Sequence, residues 1–273
     1  MELKVQHTTS ADGIDIAYAV AGAGSPVILV PEPGISLIDA ASVPEWSSWL
    51  VKLALSHQAV LIDGRGFGSS SLASVLSSPD EMVEDIRAVA AAIGLPSAVL
   101  LARGLNSKVA LKLAAEESAI VSHLVLVAPV LGNAQIVEPG PAEEGGVAVQ
   151  SAWDNWVEDM VGTTKHLSHS DRESRQKFSD ISRGASQQKL RAMQDVYATM
   201  DGYALAEAVS SPALVLIDEA ETPEARDEMS RAADAISGAE RAEISLGTWM
   251  LFEDTEEQIL EKLEGFFSAA SPQ

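Results

Sequence analysis

Asp63-Gly64-Arg65-Gly66-Phe67-Gly68-Ser69-Ser70 follows directly on the apolar run Ala59 to Asp63. Glycine at 64, 66 and 68 interrupts any helical or strand pattern there and opens backbone angles closed to other residues. An aspartate at the head of such a stretch can accept hydrogen bonds from the turn amides behind it. The reading is a strand that ends in a tight turn held by its own aspartate.

Further short apolar runs lie on either side: Ile14 to Val20, Pro26 to Val30, Ala98 to Ala102, His123 to Val127, Ala213 to Ile217 and Ala242 to Leu246. Helical patterns separate most of them, and this alternation predicts a mostly parallel sheet with helices on both faces. The first run is expected to be antiparallel. Ala21-Gly22-Ala23-Gly24-Ser25, which joins it to the second, is too short for a crossover helix and suits a hairpin. Ser78-Pro79-Asp80-Glu81 starts a helix, with serine as N-cap, proline at the first position and glutamate at the third in a capping box. Val83, Ile86, Val89, Ala90 and Ile93 then form one apolar stripe, and Gly94 with Pro96 ends the helix. A final helix is expected over Thr255 to Phe267, with Ile259, Leu260, Leu263, Phe266 and Phe267 on one side. Between about Asn133 and Ala206 strand-like runs vanish, and polar helical stretches appear around Trp153 to Met160 and Leu190 to Met200. Glu138 to Gly146 reads as a loop leading into this region.

The chain has 273 residues, 47% of them apolar, enough to bury a large core in one α/β domain. Cysteine is absent, which removes disulfides, zinc ribbons and thiol hydrolases together. With 40 acidic and 18 basic residues the net charge is −22, a field that repels nucleic acids and anionic membranes. No apolar run reaches about eighteen residues, and Met1 to Gly13 lacks the basic stretch and apolar core of a secretory signal, so a cytoplasmic protein is expected.

The segment Asp63 to Ser70 resembles the D-x-R-G-x-G-x-S turn of α/β-hydrolases, and other segments resemble that family in the same order. Pro26 to Gly34 is similar to its oxyanion strand and loop, and Val99 to Leu111 to its strand, nucleophile elbow and following helix. Pro212 to Glu221 resembles the strand bearing the acid, and Gly247 to Asp254 the loop bearing the histidine. The resemblance implies an α/β-hydrolase fold, a mostly parallel central sheet flanked by helices with a helical cap insertion. Residues 1–132 and 207–273 would form the core domain and 133–206 the cap. Arg87 to Leu101, with the cap's position, is most similar to hydrolase-like proteins found beside nucleotide cyclases or regulators.

The same resemblance implies that the catalytic positions are vacated. The family carries its nucleophile in G-x-S-x-G. The matching residues are Ala102-Arg103-Gly104-Leu105-Asn106, so Gly104, without a side chain, takes the serine's place; no aspartate stands there either, which removes the dehalogenase variant. Trp249 takes the histidine's place, and an indole N–H can only donate. Glu221 best matches the acid, with Asp218 and Glu219 nearby. Pro31-Glu32 replace the family's His-Gly pair, and Pro33 stands at the expected oxyanion donor without an N–H. Ser107, one turn further on, reads as a buried small residue or helix-start hydroxyl. His166 and His169 are spaced to share a helix face, but no carboxylate completes a metal motif with them. His123 reads as packed at a strand start, and His7 and His57 as peripheral.

No metal or cofactor is expected. The cleft over the carboxyl ends of the strands should persist as geometry, bordered by Glu32, Pro33, Gly34, Arg103, Gly104, Leu105 and Trp249, with Trp153 and Trp156 from the cap. Arg103 there either pairs with Glu32 or accepts a carboxylate or phosphate ligand. The expectation is a pseudo-hydrolase without classical serine-hydrolase activity, binding a small molecule, a protein partner or a second copy of itself, and neither nucleic acid nor membrane. Two alternatives stay open. One is an isomerase, lyase or cyclase that uses Glu32 or Glu221 as acid or base; the other is an ester or C–C hydrolase with a displaced triad.

Overall fold

A parallel strand covered on both faces needs apolar side chains at nearly every position, and the runs in this sequence have that character. The computed structural model describes residues 3–31, 35–71, 78–132, 172–183, 187–245 and 256–270. Its strands are β1 (Gln6–Thr9), β2 (Asp15–Ala21), β3 (Ser25–Leu29), β4 (His57–Ile62), β5 (Ala98–Arg103), β6 (Val121–Val127), β7 (Ala213–Asp218) and β8 (Glu240–Ile244). They form one sheet in the order β1-β2-β4-β3-β5-β6-β7-β8. From β4 across to β8 every neighbouring pair is parallel, while β2 runs antiparallel to both β1 and β4.

The helices are α1 (Leu37–Ala40), α2 (Pro44–Ser56), α3 (Pro79–Ala92), α4 (Ser107–Glu116), α5 (Arg172–Arg183), α6 (Gln187–Ala198), α7 (Gly202–Glu207), α8 (Pro223–Ala235) and α9 (Glu256–Ala270). Successive strand residues point to opposite faces and feed two cores. Ile28, Val60, Leu100 and Leu124 pack with Val83 and Ile86 of α3 and Val109 and Leu113 of α4. Leu29, Leu61, Leu101 and Val125 pack with Trp49 and Leu53 of α2 and Ile259, Leu263 and Phe266 of α9. The start expected for α3 is realised. The Glu81 N–H donates to Ser78 Oγ at 3.2 Å, and the Ser78 N–H donates to the Glu81 carboxylate at 2.6 Å. No helix among the described residues is long and apolar enough to cross a membrane.

The hairpin expected between β2 and β3 does not form, because β4 lies between them in the sheet. The glycines of the link answer to a close approach instead. A Cβ on Gly22, at φ +76, would stand 2.3 Å from the carbonyl oxygens of Ala54 and His57; one on Gly24 would stand 2.4 Å from that of Ser56. The link therefore runs hard against the junction of α2 and β4, and only glycine fits. The short strand β1 has no apolar run to announce it; its register, Gln6 opposite Tyr18 and His7 opposite Ala17, is imposed by β2.

The turn after β4 is held as the sequence suggests and from further away as well. Asp63 is wholly buried, and its carboxylate accepts from the Ser69 N–H at 3.0 Å, from Ser36 Oγ at 2.9 Å and from the Ile38 N–H at 3.3 Å. Ser70 Oγ donates to the Asp63 carbonyl and accepts from the Ala17 N–H, both at 2.8 Å. Arg65 reaches out of the turn to Asp85 of α3, with Nε 2.8 Å from Oδ2, and to Asp12 between β1 and β2 at 2.6 Å.

Replacing Gly22 with alanine should lower stability by more than about 2 kcal/mol, since left-handed strain adds to overlap with two carbonyls. Gly66→Ala, at φ +79 with no described atom within 4 Å of the new Cβ, should lose only about 1 kcal/mol from the backbone. Urea denaturation of the two variants reads the difference directly.

Candidate functional site

β5 ends at Arg103, and the chain turns through Gly104 into one 3-10 turn, Gly104–Asn106, before α4 begins at Ser107. Gly104 has φ +53, a left-handed conformation that disfavours any residue with a Cβ. A Cβ built there meets no described atom within 4 Å, so the apex of the turn projects into space free of described atoms. The Gly104 carbonyl accepts from the Val130 N–H at 3.0 Å, tying the apex to the segment after β6. That segment leaves the sheet through Ala128, at φ +44, whose N–H donates to the Leu216 carbonyl at 2.8 Å. Adjacent strands thus both exit through left-handed residues, and the second carries a side chain despite the strain.

Three residues behind the apex bind the end of α6 to the core. Lys108 is wholly buried, and its Nζ donates to the carbonyls of Tyr197 at 3.1 Å and Met200 at 3.3 Å. These carbonyls lie at the carboxyl end of α6, where the helix leaves acceptors unsatisfied and favours a cation. Burial pushes the Lys108 ammonium below its ordinary pKa, against the pull of Glu228 and Asp201 towards the charged form. The Tyr197 hydroxyl donates to Asn106 Oδ1 at 2.5 Å. Sequence reasoning did not single out Asn106, Lys108 or Tyr197. The available signal was a lysine set against Val109-Ala110-Leu111, in a helix otherwise read as packed. Beside this joint a cavity of about 30 Å³ is lined by Val30, Pro31, Phe67, Met82, Val109 and Tyr197, among others, with room for about one water molecule.

The structure brings only part of the expected site together. Arg103, Gly104 and Leu105 sit in sequence at the elbow, with Arg103 and Leu105 half-buried. Glu221 is exposed in the loop after β7, while Asp218, at the end of that strand, is buried and accepts from the Ala220 N–H at 3.0 Å. Ser107 is wholly buried, and its Oγ has no hydrogen-bond partner among the described residues. His7 is paired with Asp15 at 3.0 Å on the β1 edge; His57 and His123 stand at the amino-terminal ends of β4 and β6, at the opposite end of the sheet from Gly104. Glu32, Pro33, Gly34, Trp153, Trp156, His166, His169 and Trp249 lie outside the described residues. Among the described residues no three His, Asp or Glu side chains converge to hold a metal.

No family model and no curated protein matches the chain. Solved structures do. An esterase from Thermogutta terrifontis, with malate bound, is 20% identical at a TM-score of 0.74, with 100% of each chain covered. The enol-lactonase from Burkholderia xenovorans LB400 is 14% identical at 0.75, covering 96% of this chain and 100% of that one. A bromoperoxidase from Bacillus anthracis is 17% identical at 0.75, covering 97% and 100%. The chain has the α/β-hydrolase fold. Identities this low establish the α/β-hydrolase fold and leave activity open. They do not bear on the cyclase-linked proteins that Arg87 to Leu101 resembles.

Tyr197→Phe removes the buried hydrogen bond to Asn106 and leaves the backbone carbonyl that Lys108 uses in place. It should lower stability by about 1–2 kcal/mol. Denaturation midpoints of wild type and variant check this, with the denaturant slope expected to be unchanged.

Proposed function

We propose that this protein is a catalytically degenerate α/β-hydrolase homologue, one that binds a ligand in the cleft above the elbow and lacks classical serine-hydrolase activity. The observation that carries the reading is Gly104. It occupies the apex of the strand-to-helix turn at φ +53, where the fold presents a nucleophile, and it offers no atom to attack with. The sequence match of Trp249 to the histidine position and of Pro33 to the oxyanion donor supports the same conclusion. Ser107, the nearest hydroxyl in sequence, is buried without a base. Glu221, exposed to solvent, gives no support to acid–base chemistry by that residue.

On this reading the ligand is a small molecule bordered by Glu32, Pro33, Gly34, Arg103, Leu105 and Trp249 and covered by a cap over residues 133–206, in a cytoplasmic protein; a protein partner or a second copy of the chain is the other occupant to consider. The absence of a nucleophile shapes the test. A fluorophosphonate probe should leave the protein unlabelled, and generic esters should not turn over. Stoichiometric labelling, at Ser107 or elsewhere, would sink the proposal. Gly104→Ser restores a hydroxyl at the apex and should lose about 1–2 kcal/mol to left-handed strain while remaining unlabelled for want of a base. A thermal-shift screen of metabolites, beginning with small carboxylates such as malate, searches for the ligand. A true one, at about 100 times its dissociation constant, adds about 2.7 kcal/mol of stability.

A further inference from the structure

At the end of the sheet opposite the elbow, two histidines and two phenylalanines meet. His57 opens β4 and His123 is the third residue of β6, both on the face covered by α9. The ring centre of Phe267 lies 5.4 Å from that of His57 and 5.5 Å from that of His123, each edge to face. Phe266 lies 5.3 Å from His123 in the same manner. The carboxyl end of α9 is thus seated on the sheet with Phe267 touching two imidazoles.

The two imidazoles differ in what surrounds them. His57 Nε2 lies 2.9 Å from the Glu264 carboxylate of α9, while its Nδ1 is buried without a partner. His123 Nε2 is buried and unpartnered, and no charged side chain among the described residues pulls on it from β5, β7 or α9. Of the other charged groups on α9, Glu257 pairs with Lys52 of α2 at 3.2 Å, and Glu261 and Lys262 are exposed. Burial alone pushes the His123 pKa below its ordinary value.

We propose that His123 makes the docking of α9 pH-sensitive: a neutral imidazole packs against Phe266 and Phe267, whereas an imidazolium there carries an Nε2–H with no acceptor among the described residues and loosens the carboxyl end of the helix. Acid therefore releases the Phe266 side of α9. The direction follows from the proton balance. Above about pH 6.5 the imidazole is neutral whether α9 is docked or not, and docking is complete. Below it the undocked state takes up the proton first, so docking weakens as pH falls towards the midpoint of the docked form.

Hydrogen exchange on the full chain, corrected for intrinsic rates, tests this. Between about pH 7.5 and about pH 5.5 the amides of α9 should lose about threefold or more of their protection, those of α3 should not, and His123→Phe should abolish the change. No change in the wild type, or an equal change in the variant, overturns the proposal. Should His123→Phe fail to fold, NMR titration of the wild-type imidazole decides the matter: a midpoint well below about 6.5 upholds the switch, and one at or above it overturns it.

Discussion

A carboxylate without access to solvent organises the carboxyl end of the sheet. Asp63 follows directly on β4, and burial pushes its pKa up, while the Ser69 and Ile38 N–H groups and the Ser36 hydroxyl favour the anion. Those donors come from the loops after β3 and after β4, so one side chain fixes the relative position of two strand exits. The fit leaves nothing spare: a Cβ on Gly68 would stand 2.1 Å from Asp63 Oδ2. Arg65 carries the same constraint outward. Its side chain and that of Asp85 are each 4% exposed, and removing one partner of such a buried pair costs about 3–5 kcal/mol.

The interior shows why a chain of net charge −22 still buries cations. Arg65 is matched by carboxylates, whereas Lys108 is matched by carbonyls at the end of α6. The second arrangement joins two parts of the fold more than it strengthens either one. It requires the end of α6 to lie where α4 begins, directly behind Gly104, and Tyr197 adds a second bond from the same helix to Asn106. The elbow and the end of α6 are therefore tied together through Lys108 and Asn106.

Gly104 takes its left-handed conformation without strain, whereas Ala128 takes one despite its Cβ, and the bond from Val130 to the Gly104 carbonyl ties the two strand exits together. Strain of that kind persists only where the surroundings over-determine it, and here the Ala128 N–H bond to the Leu216 carbonyl and the Val130 N–H bond to the Gly104 carbonyl hold it. The fold is shared with an esterase and an enol-lactonase, and a shared fold does not fix what is done at the end of its strands.

Much of this was legible in the chain because it depends on neighbours in sequence. The apolar runs gave the strands, Ser78 and Glu81 gave the start of α3, and Asp63 with its glycines gave the turn, since each rests on local periodicity or on a bond spanning a few residues. The tight strand-to-helix turn at Gly104 was equally local, and the glycine stands in it at φ +53. The order of strands was not legible. Nothing in Ala21 to Ser25 says that β4 will slide between β2 and β3, because the carbonyls of Ala54 and His57 that dictate Gly22 lie over thirty residues away. Lys108 and Tyr197 were hidden for the same reason. Each looks ordinary beside its neighbours, and only the packing of α6 on α4, which brings together a lysine and a tyrosine 89 positions apart, gives the ammonium its acceptors.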